Sequence, residues 1–222
     1  MIRCARILVL AIVVIVVLLA RFPDTYDDPK LPLYVINLKR RSDRLEACLN
    51  RIPDPIVIEA VDGYALPPSK SSKLTKGERG CFLSHLKALQ RIANGPDRYA
   101  IVLEDDAVLN FPDCFKRIQK LIRQAPPEFG VIALGCNAFP PEVIDVAPGL
   151  CVFPNYDLCG AHALLYSRKG AEKFLRHAMK YGTNDVPFDL WLTQSRAAPV
   201  LIATPPLATV TSLKDTDTQK TR

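Results

Sequence analysis

The chain has 222 residues, 49% of them hydrophobic and 23% charged, and a formal net charge of +6. These proportions sit near the globular average and exclude a disordered chain, a collagen and a polytopic membrane protein. Arg3, Arg6 and Arg21 supply half of the net charge, and the remainder lacks the strong basic stripe of a nucleic-acid binder, so no nucleic-acid partner is expected.

Ile7 to Ala20 is an unbroken run of 14 Ile, Leu, Val and Ala residues. As a helix it is about 21 Å long, against a bilayer core of about 30 Å. It spans if Cys4 and Ala5 join it and Arg6 and Arg21 snorkel to the headgroups. A basic start before a short apolar core also fits a cleaved signal peptide, but Leu18-Leu19-Ala20 lacks the small residue that cleavage wants two positions before Ala20. Residues 1–21 therefore read as a signal anchor, with a signal peptide as the alternative. Arg3 and Arg6 precede the run and Asp24, Asp27 and Asp28 follow it, which keeps the amino end cytosolic and sends the rest across. Residues 22–32 form a linker with three prolines.

Leu33 to Leu38 reads as a buried strand. Ser42 caps a helix with a stripe at Leu45, Cys48, Leu49 and Ile52. Ile56 to Val61 is a second strand, closed by the turn pair Asp62-Gly63. Thr75-Lys76-Gly77-Glu78 is a capping box that opens a helix to about Ala93, with Leu86, Leu89 and Ile92 facing inward. Tyr99 to Leu103 is a third buried strand, ending in Glu104-Asp105-Asp106. A helix from Pro112 to Gln124 and strands at 131–134, 150–153 and 161–166 follow. Ser167 caps a helix to about Lys180; Phe188 to Thr193 is a short helix and Val200 to Ala203 a late strand. The domain is expected over 33–210 and a polar, disordered tail over 211–222. Strands alternating with helices predict an α/β domain with a mainly parallel sheet and helices on both faces, whose ligands bind beyond the carboxyl ends of the strands.

Three groups carry chemistry. The acidic triplet directly follows an apolar strand; on an extended backbone Glu104 and Asp106 point to one side and Asp105 to the other. Converging carboxylates repel unless a cation or proton intervenes, and oxygen ligands of this kind suit Mg²⁺ or Mn²⁺. A solvated turn is the plainer alternative. Lys39, Arg40, Arg41 and Arg44 crowd a strand-to-helix junction, which suits a diphosphate or, more plainly, a solvated basic face. Glu78, Cys81, Ser84 and His85 share one helix, with Glu78 first of all a cap. None of the seven cysteines forms a Cys-x-x-Cys pair, so a structural zinc site of that kind is not expected. Six of them permit disulfides; Cys48, Cys81 and Cys114 read as buried thiols on apolar helix faces.

Tyr34-Val35-Ile36-Asn37-Leu38 with Arg41 and Arg44, Ala60-Val61-Asp62-Gly63, Leu74 through His85, Val102 through Ala107, and Tyr166 through Ala171 with Asp189 resemble, in order, the motifs of glycosyltransferase family 25. The family includes bacterial lipooligosaccharide galactosyltransferases and animal collagen galactosyltransferases, and the collinear match spans about residues 33–195. The resemblance implies a GT-A type fold and an inverting transfer of a hexose, commonly galactose, from a UDP-sugar donor to a glycan or hydroxylated protein acceptor. It places Asn37, Arg41, Arg44 and Asp62, with Glu78, Ser84 and His85, at the donor. Glu104 and Asp106 would hold Mn²⁺ or Mg²⁺, joined by His162 unless that is simply a buried strand histidine. Asp189, or else Asp105, would be the base; Asp189 otherwise caps the helix after Pro187. The proline-rich segment between Leu134 and Gly160 is short for the family. Two rivals stand: an inactive membrane-anchored binding protein with this fold, and a metal-dependent UDP-sugar hydrolase. The topology implies a single-pass type II protein facing the Golgi or endoplasmic reticulum lumen, where donor transporters operate, ahead of a secreted protein or a bacterial inner-membrane one.

Overall fold

The computed structural model describes residues 31–69, 72–110, 113–182 and 185–211. The apolar run at 7–20, most of the linker and all but the first residue of the tail lie outside them. Among the described residues, no helix is long and apolar enough to cross a membrane.

In chain order the elements are β1 (Leu33–Asn37), α1 (Ser42–Leu49), β2 (Ile56–Glu59), α2 (Lys76–Ala93), β3 (Tyr99–Glu104), β4 (Ala107–Leu109), α3 (Cys114–Gln124) and β5 (Val131–Ala133). They continue with β6 (Ile144–Ala147), β7 (Leu150–Val152), β8 (Ala163–Ser167), α4 (Arg168–Tyr181), α5 (Phe188–Gln194), β9 (Val200–Ala203) and β10 (Ala208–Val210). Eight strands form one sheet in the order β2-β1-β3-β8-β5-β9-β7-β6, and β4 pairs with β10 separately.

The sheet is mixed rather than mainly parallel. β1 pairs parallel with β2 and β3, and β5 with β9, but β8 lies antiparallel between β3 and β5, and β7 runs antiparallel to both β6 and β9. The reason is connection chemistry. A parallel neighbour needs a long crossover, usually a helix. No helix separates β5 from β8, and β6 turns into β7 through Pro148-Gly149 alone, with Gly149 at φ +79°.

Helices cover both faces, as expected. On β1 and β3, Tyr34, Ile36, Ala100 and Val102 face α2, α4 and α5. Leu33, Val35, Ile101 and Leu103 face the opposite way, towards α1 and α3. Five consecutive buried residues on β1 are the mark of a strand covered on both sides. On the first face Phe82 meets Phe188 and Trp191 edge-on, with ring centroids 5.3 and 5.2 Å apart. Such pairs are worth about 0.5–1.5 kcal/mol beyond the area they bury.

Two helix starts follow their sequence signals. Thr75 and Glu78 close a complete capping box on α2, and the Ser167 hydroxyl accepts the Gly170 N–H to cap α4. Ser42 does not cap α1. A tight turn off β1, with the Arg41 N–H on the Leu38 carbonyl at 2.7 Å, brings the chain into the helix one residue earlier. Arg41 stands at the cap position without a side-chain cap bond.

Candidate functional site: an acidic turn facing arginines

Strand parity decides where the acids point. Leu103 faces α1 and α3, so Glu104, the last residue of β3, faces α2. There its Oε1 lies 3.1 Å from His85 Nε2 and 3.7 Å from Cys81 Sγ. The strand then stops. Asp105 and Asp106 form a turn into β4 instead of extending β3, so they do not alternate as extended residues would. Asp105 turns towards α1, where its Oδ2 accepts from Asn37 Nδ2 at 2.7 Å and its Oδ1 pairs with Arg44. Arg44 also reaches Asp106 Oδ2 at 2.8 Å, so one guanidinium holds both aspartates. Arg51, further along the same segment, donates to the Asp105 carbonyl at 3.1 Å.

Two aspartates share this one guanidinium, with the Glu104 carboxylate beside them. Burial and the neighbouring Glu104 charge push the Asp106 carboxyl up to about 6, with Arg44 only partly opposing them. The Oδ1 of Asp106 is buried with no hydrogen-bond partner. Burial likewise raises Asp105, against Arg44 and Asn37. Burial acts upward on Glu104 too, but His85, bonded to it at 3.1 Å, leads the groups that carry it below the usual carboxylate value.

The turn opens into a cleft whose lining includes Arg40, Arg44, Asp62, Tyr64, Cys81 and His85 as well as the three acids. Arg40 Nε pairs with Asp62 Oδ2 at 3.0 Å. The Asp62-Gly63 loop is laid directly on the start of α2. A Cβ on Gly80 would come within 2.6 Å of the Val61 carbonyl oxygen, and one on Gly63 would overlap the Lys76 carbonyl. Two glycines thus let the loop and the helix touch backbone to backbone.

Of the residues expected at the donor, Arg44, Asp62, Ser84 and His85 line this cleft, and Asn37 fixes the acidic turn from one side. Ser84 is also a structural clasp: its hydroxyl accepts the Val61 N–H at 2.8 Å and donates to the Gly80 carbonyl at 2.6 Å. Glu78 closes the capping box. Arg41 turns its guanidinium onto Asp43, with two contacts of 3.0 Å. Asp105 has both oxygens engaged, and Asp189 sits in the first turn of α5, accepting the Gly160 N–H at 2.7 Å and the Leu190 N–H at 2.9 Å. His162 is buried beside Gly135 and Ala208, neither ring nitrogen in a hydrogen bond of ordinary geometry. Burial holds it below the usual imidazole value, in the neutral form that ligates. Its carbonyl accepts the Glu104 N–H at 2.9 Å.

Two members of the cleft, Arg40 and Cys81, stand out in the sequence only as parts of a group, with no role of their own. Arg40 is one of a basic run, and nothing in the run says which member turns inward. Cys81 stands four residues before His85 on one helix, a spacing that puts both on one face. That signal was legible, but only the fold brings Glu104 to meet them. All six described cysteines are free thiols.

Glycosyltransferase family 25 (LPS biosynthesis protein), as a family profile, matches residues 30–140, half of the chain. Human procollagen galactosyltransferase 2 is 32% identical over 142 residues, which cover 52% of this chain and 22% of that protein. The bovine "probable inactive glycosyltransferase 25 family member 3" is also 32% identical, over 172 residues that cover 64% of this chain and 28% of that protein. The chain thus spans between a fifth and a third of the length of these relatives. A solved glycosyltransferase involved in glycosylation of the major capsid of PBCV-1 overlaps 78% of this chain and 81% of its own, at 8% identity and a TM-score of 0.42, too low to bear on fold or function.

Proposed function

The chain belongs to glycosyltransferase family 25, and we propose that it is an inverting glycosyltransferase of GT-A type. In this reading it moves a hexose, galactose, from a UDP-sugar to a hydroxyl of a glycan or a protein. The observation that carries the reading is the acidic turn at the end of β3, set in one cleft with Arg40 and Arg44. A nucleoside diphosphate with its divalent cation needs this mixture of charges: carboxylates for the metal and guanidinium groups for the phosphates.

Mn²⁺ or Mg²⁺ fits here. Asp106 has a buried oxygen without a partner, and its raised carboxyl is what a site short of positive charge produces. Asp106, with Glu104 beside it, would hold the ion; His162 does not line the cleft and stands outside the set. When bound it would offset charge on the departing diphosphate.

The chain's own residues do the rest. Asn37 and Arg44 fix Asp105 and so hold the turn in place, which makes Asp105 a positioning residue rather than a base in this reading. Arg40 and Arg44 add positive potential beside the diphosphate. Asp189 takes the acceptor proton: each of its oxygens accepts one backbone N–H, and a carboxylate keeps a further lone pair on each.

Retention of an amino-terminal anchor and a lumenal site is part of the same proposal, resting on the charges around residues 7–20. The second reading, a binding protein without turnover, is favoured by one observation: the chain is as similar to a probable inactive family member as to a galactosyltransferase. Full-length chain incubated with Mn²⁺, UDP-galactose and a glycan array or hydroxylysine peptide separates the two. Transfer supports the enzyme; UDP-sugar binding without transfer or hydrolysis supports the binding protein. Release of free sugar without any acceptor identifies a hydrolase.

A further inference from the structure

Cys81 Sγ, His85 Nε2 and a Glu104 oxygen all lie within 4.8 Å of one another. The three come from two elements, α2 and the end of β3, and all line the same cleft. Their separations can be compared with what a tetrahedral ion imposes. Bonds of about 2.0–2.1 Å to nitrogen and oxygen and about 2.3 Å to sulfur give separations of about 3.3 Å for N···O and about 3.5 Å for S···O. The observed distances are 3.1 Å for His85 to Glu104 and 3.7 Å for Cys81 to Glu104. Both separations to Glu104 are within a few tenths of an ångström of these values, and Cys81 and His85 lie within 4.8 Å of each other.

The ligand chemistry differs from that of the acidic turn. Thiolate, imidazole and carboxylate together suit a borderline-soft transition metal of the zinc class, whereas Mn²⁺ and Mg²⁺ prefer oxygen. The His85 ring is already oriented, stacked on Phe188 with centroids 4.2 Å apart and an interplanar angle of 13°. With three protein ligands at a cleft wall, the fourth position falls to water or to a ligand in the cleft, the form of an open rather than a structural zinc site. No Cys-x-x-Cys announces it, because the ligands join a helix face to a strand end.

We infer that Cys81, His85 and Glu104 form a second, softer metal site, of the zinc class, which shares Glu104 with the hard-cation site of the acidic turn. The two ions then compete for Glu104, and zinc binding weakens the retention of Mn²⁺. Zinc binding itself is independent of the transferase reading; the competition rests on that reading's assignment of Glu104.

The test uses the full chain in detergent, without nucleotide or acceptor, so it stands or falls separately from any transfer assay. Co²⁺ as a spectroscopic probe is expected to give a thiolate-to-metal charge-transfer band that Zn²⁺ abolishes. Cys81→Ser is expected to lose the band and more than about tenfold of the zinc affinity, while Mn²⁺ retention followed by electron paramagnetic resonance is unchanged. Zinc-edge X-ray absorption on the unaltered chain needs no variant, and is expected to show one sulfur at about 2.3 Å with nitrogen and oxygen neighbours at about 2.0–2.1 Å. A first shell without sulfur, or a cobalt band that survives in Cys81→Ser, overturns the site. Zinc and Mn²⁺ retained together without mutual displacement overturns the competition.

Discussion

Asp106 binds its proton more tightly in the fold than a free aspartate does, because burial and the Glu104 charge outweigh its share of Arg44. The sign of the consequence is fixed. A carboxyl raised to about 6 costs stability once it is ionised, so stability present near pH 4 falls as pH rises through 6. At pH 8 without metal, Asp106→Asn is expected to raise stability by about 1–3 kcal/mol, the linkage value of roughly two pK units. The same change is expected to remove most transfer. Denaturant titration in EDTA checks the first part, and a loss of stability would mean that the Arg44 pair outweighs burial. Arg44→Ala goes the other way: it strips from both aspartates the guanidinium that pairs with them and is expected to cost about 3 kcal/mol. Calorimetry with UDP on the folded variant is expected to show affinity weaker by about 1.5–3 kcal/mol, the range for a charged hydrogen bond. Unchanged UDP affinity would confine Arg44 to holding the turn.

The elements around the cleft differ in how far they could be read. The buried strands β1 and β3, the capping box of α2 and the Ser167 cap of α4 rest on local signals, a continuous apolar run or a hydroxyl at the right spacing, and these act without help from distant residues. β4 and β10 have only three residues each and exist because they pair with one another, which no local pattern declares. The turn at Asp105-Asp106 is open in the sequence only as an alternative to an extended backbone, for the same reason. β4 has to leave the sheet to meet β10, so the chain bends where an extended strand was expected. At the site, the acidic triplet and Arg44 were legible as types, but their sharing of one guanidinium was not. The contact between α2 and the 61–63 loop offers a test at this scale. Gly80→Ala places a methyl against the Val61 carbonyl and is expected to cost about 1–3 kcal/mol as overpacking. Thr75→Ala, which removes the cap hydroxyl, is expected to cost about 1 kcal/mol. A thermal melt ranks the two, and a Gly80→Ala chain as stable as the parent would show that the loop moves freely from the helix.

At the scale of the whole molecule, the sheet sets the carboxyl end of β3 beside that of β1, the helix that follows β1 delivers Arg44, and α2 delivers Cys81 and His85. A cleft beyond the strand ends follows from this geometry, since there loops from both faces meet. An anchored, lumenal chain is expected to survive protease in sealed microsomes until detergent is added; digestion without detergent would place the domain in the cytosol whatever its chemistry. The most direct test of the proposed function is transfer from UDP-galactose to a glycan or hydroxylysine acceptor by the full chain, followed with Mn²⁺ and again in excess EDTA. The expected result is sugar on the acceptor and free UDP with Mn²⁺, and neither in EDTA nor with Asp106→Asn. Undiminished transfer in EDTA would contradict a cation held by the acidic turn, and binding of UDP-galactose with no transfer under any condition would contradict the enzyme.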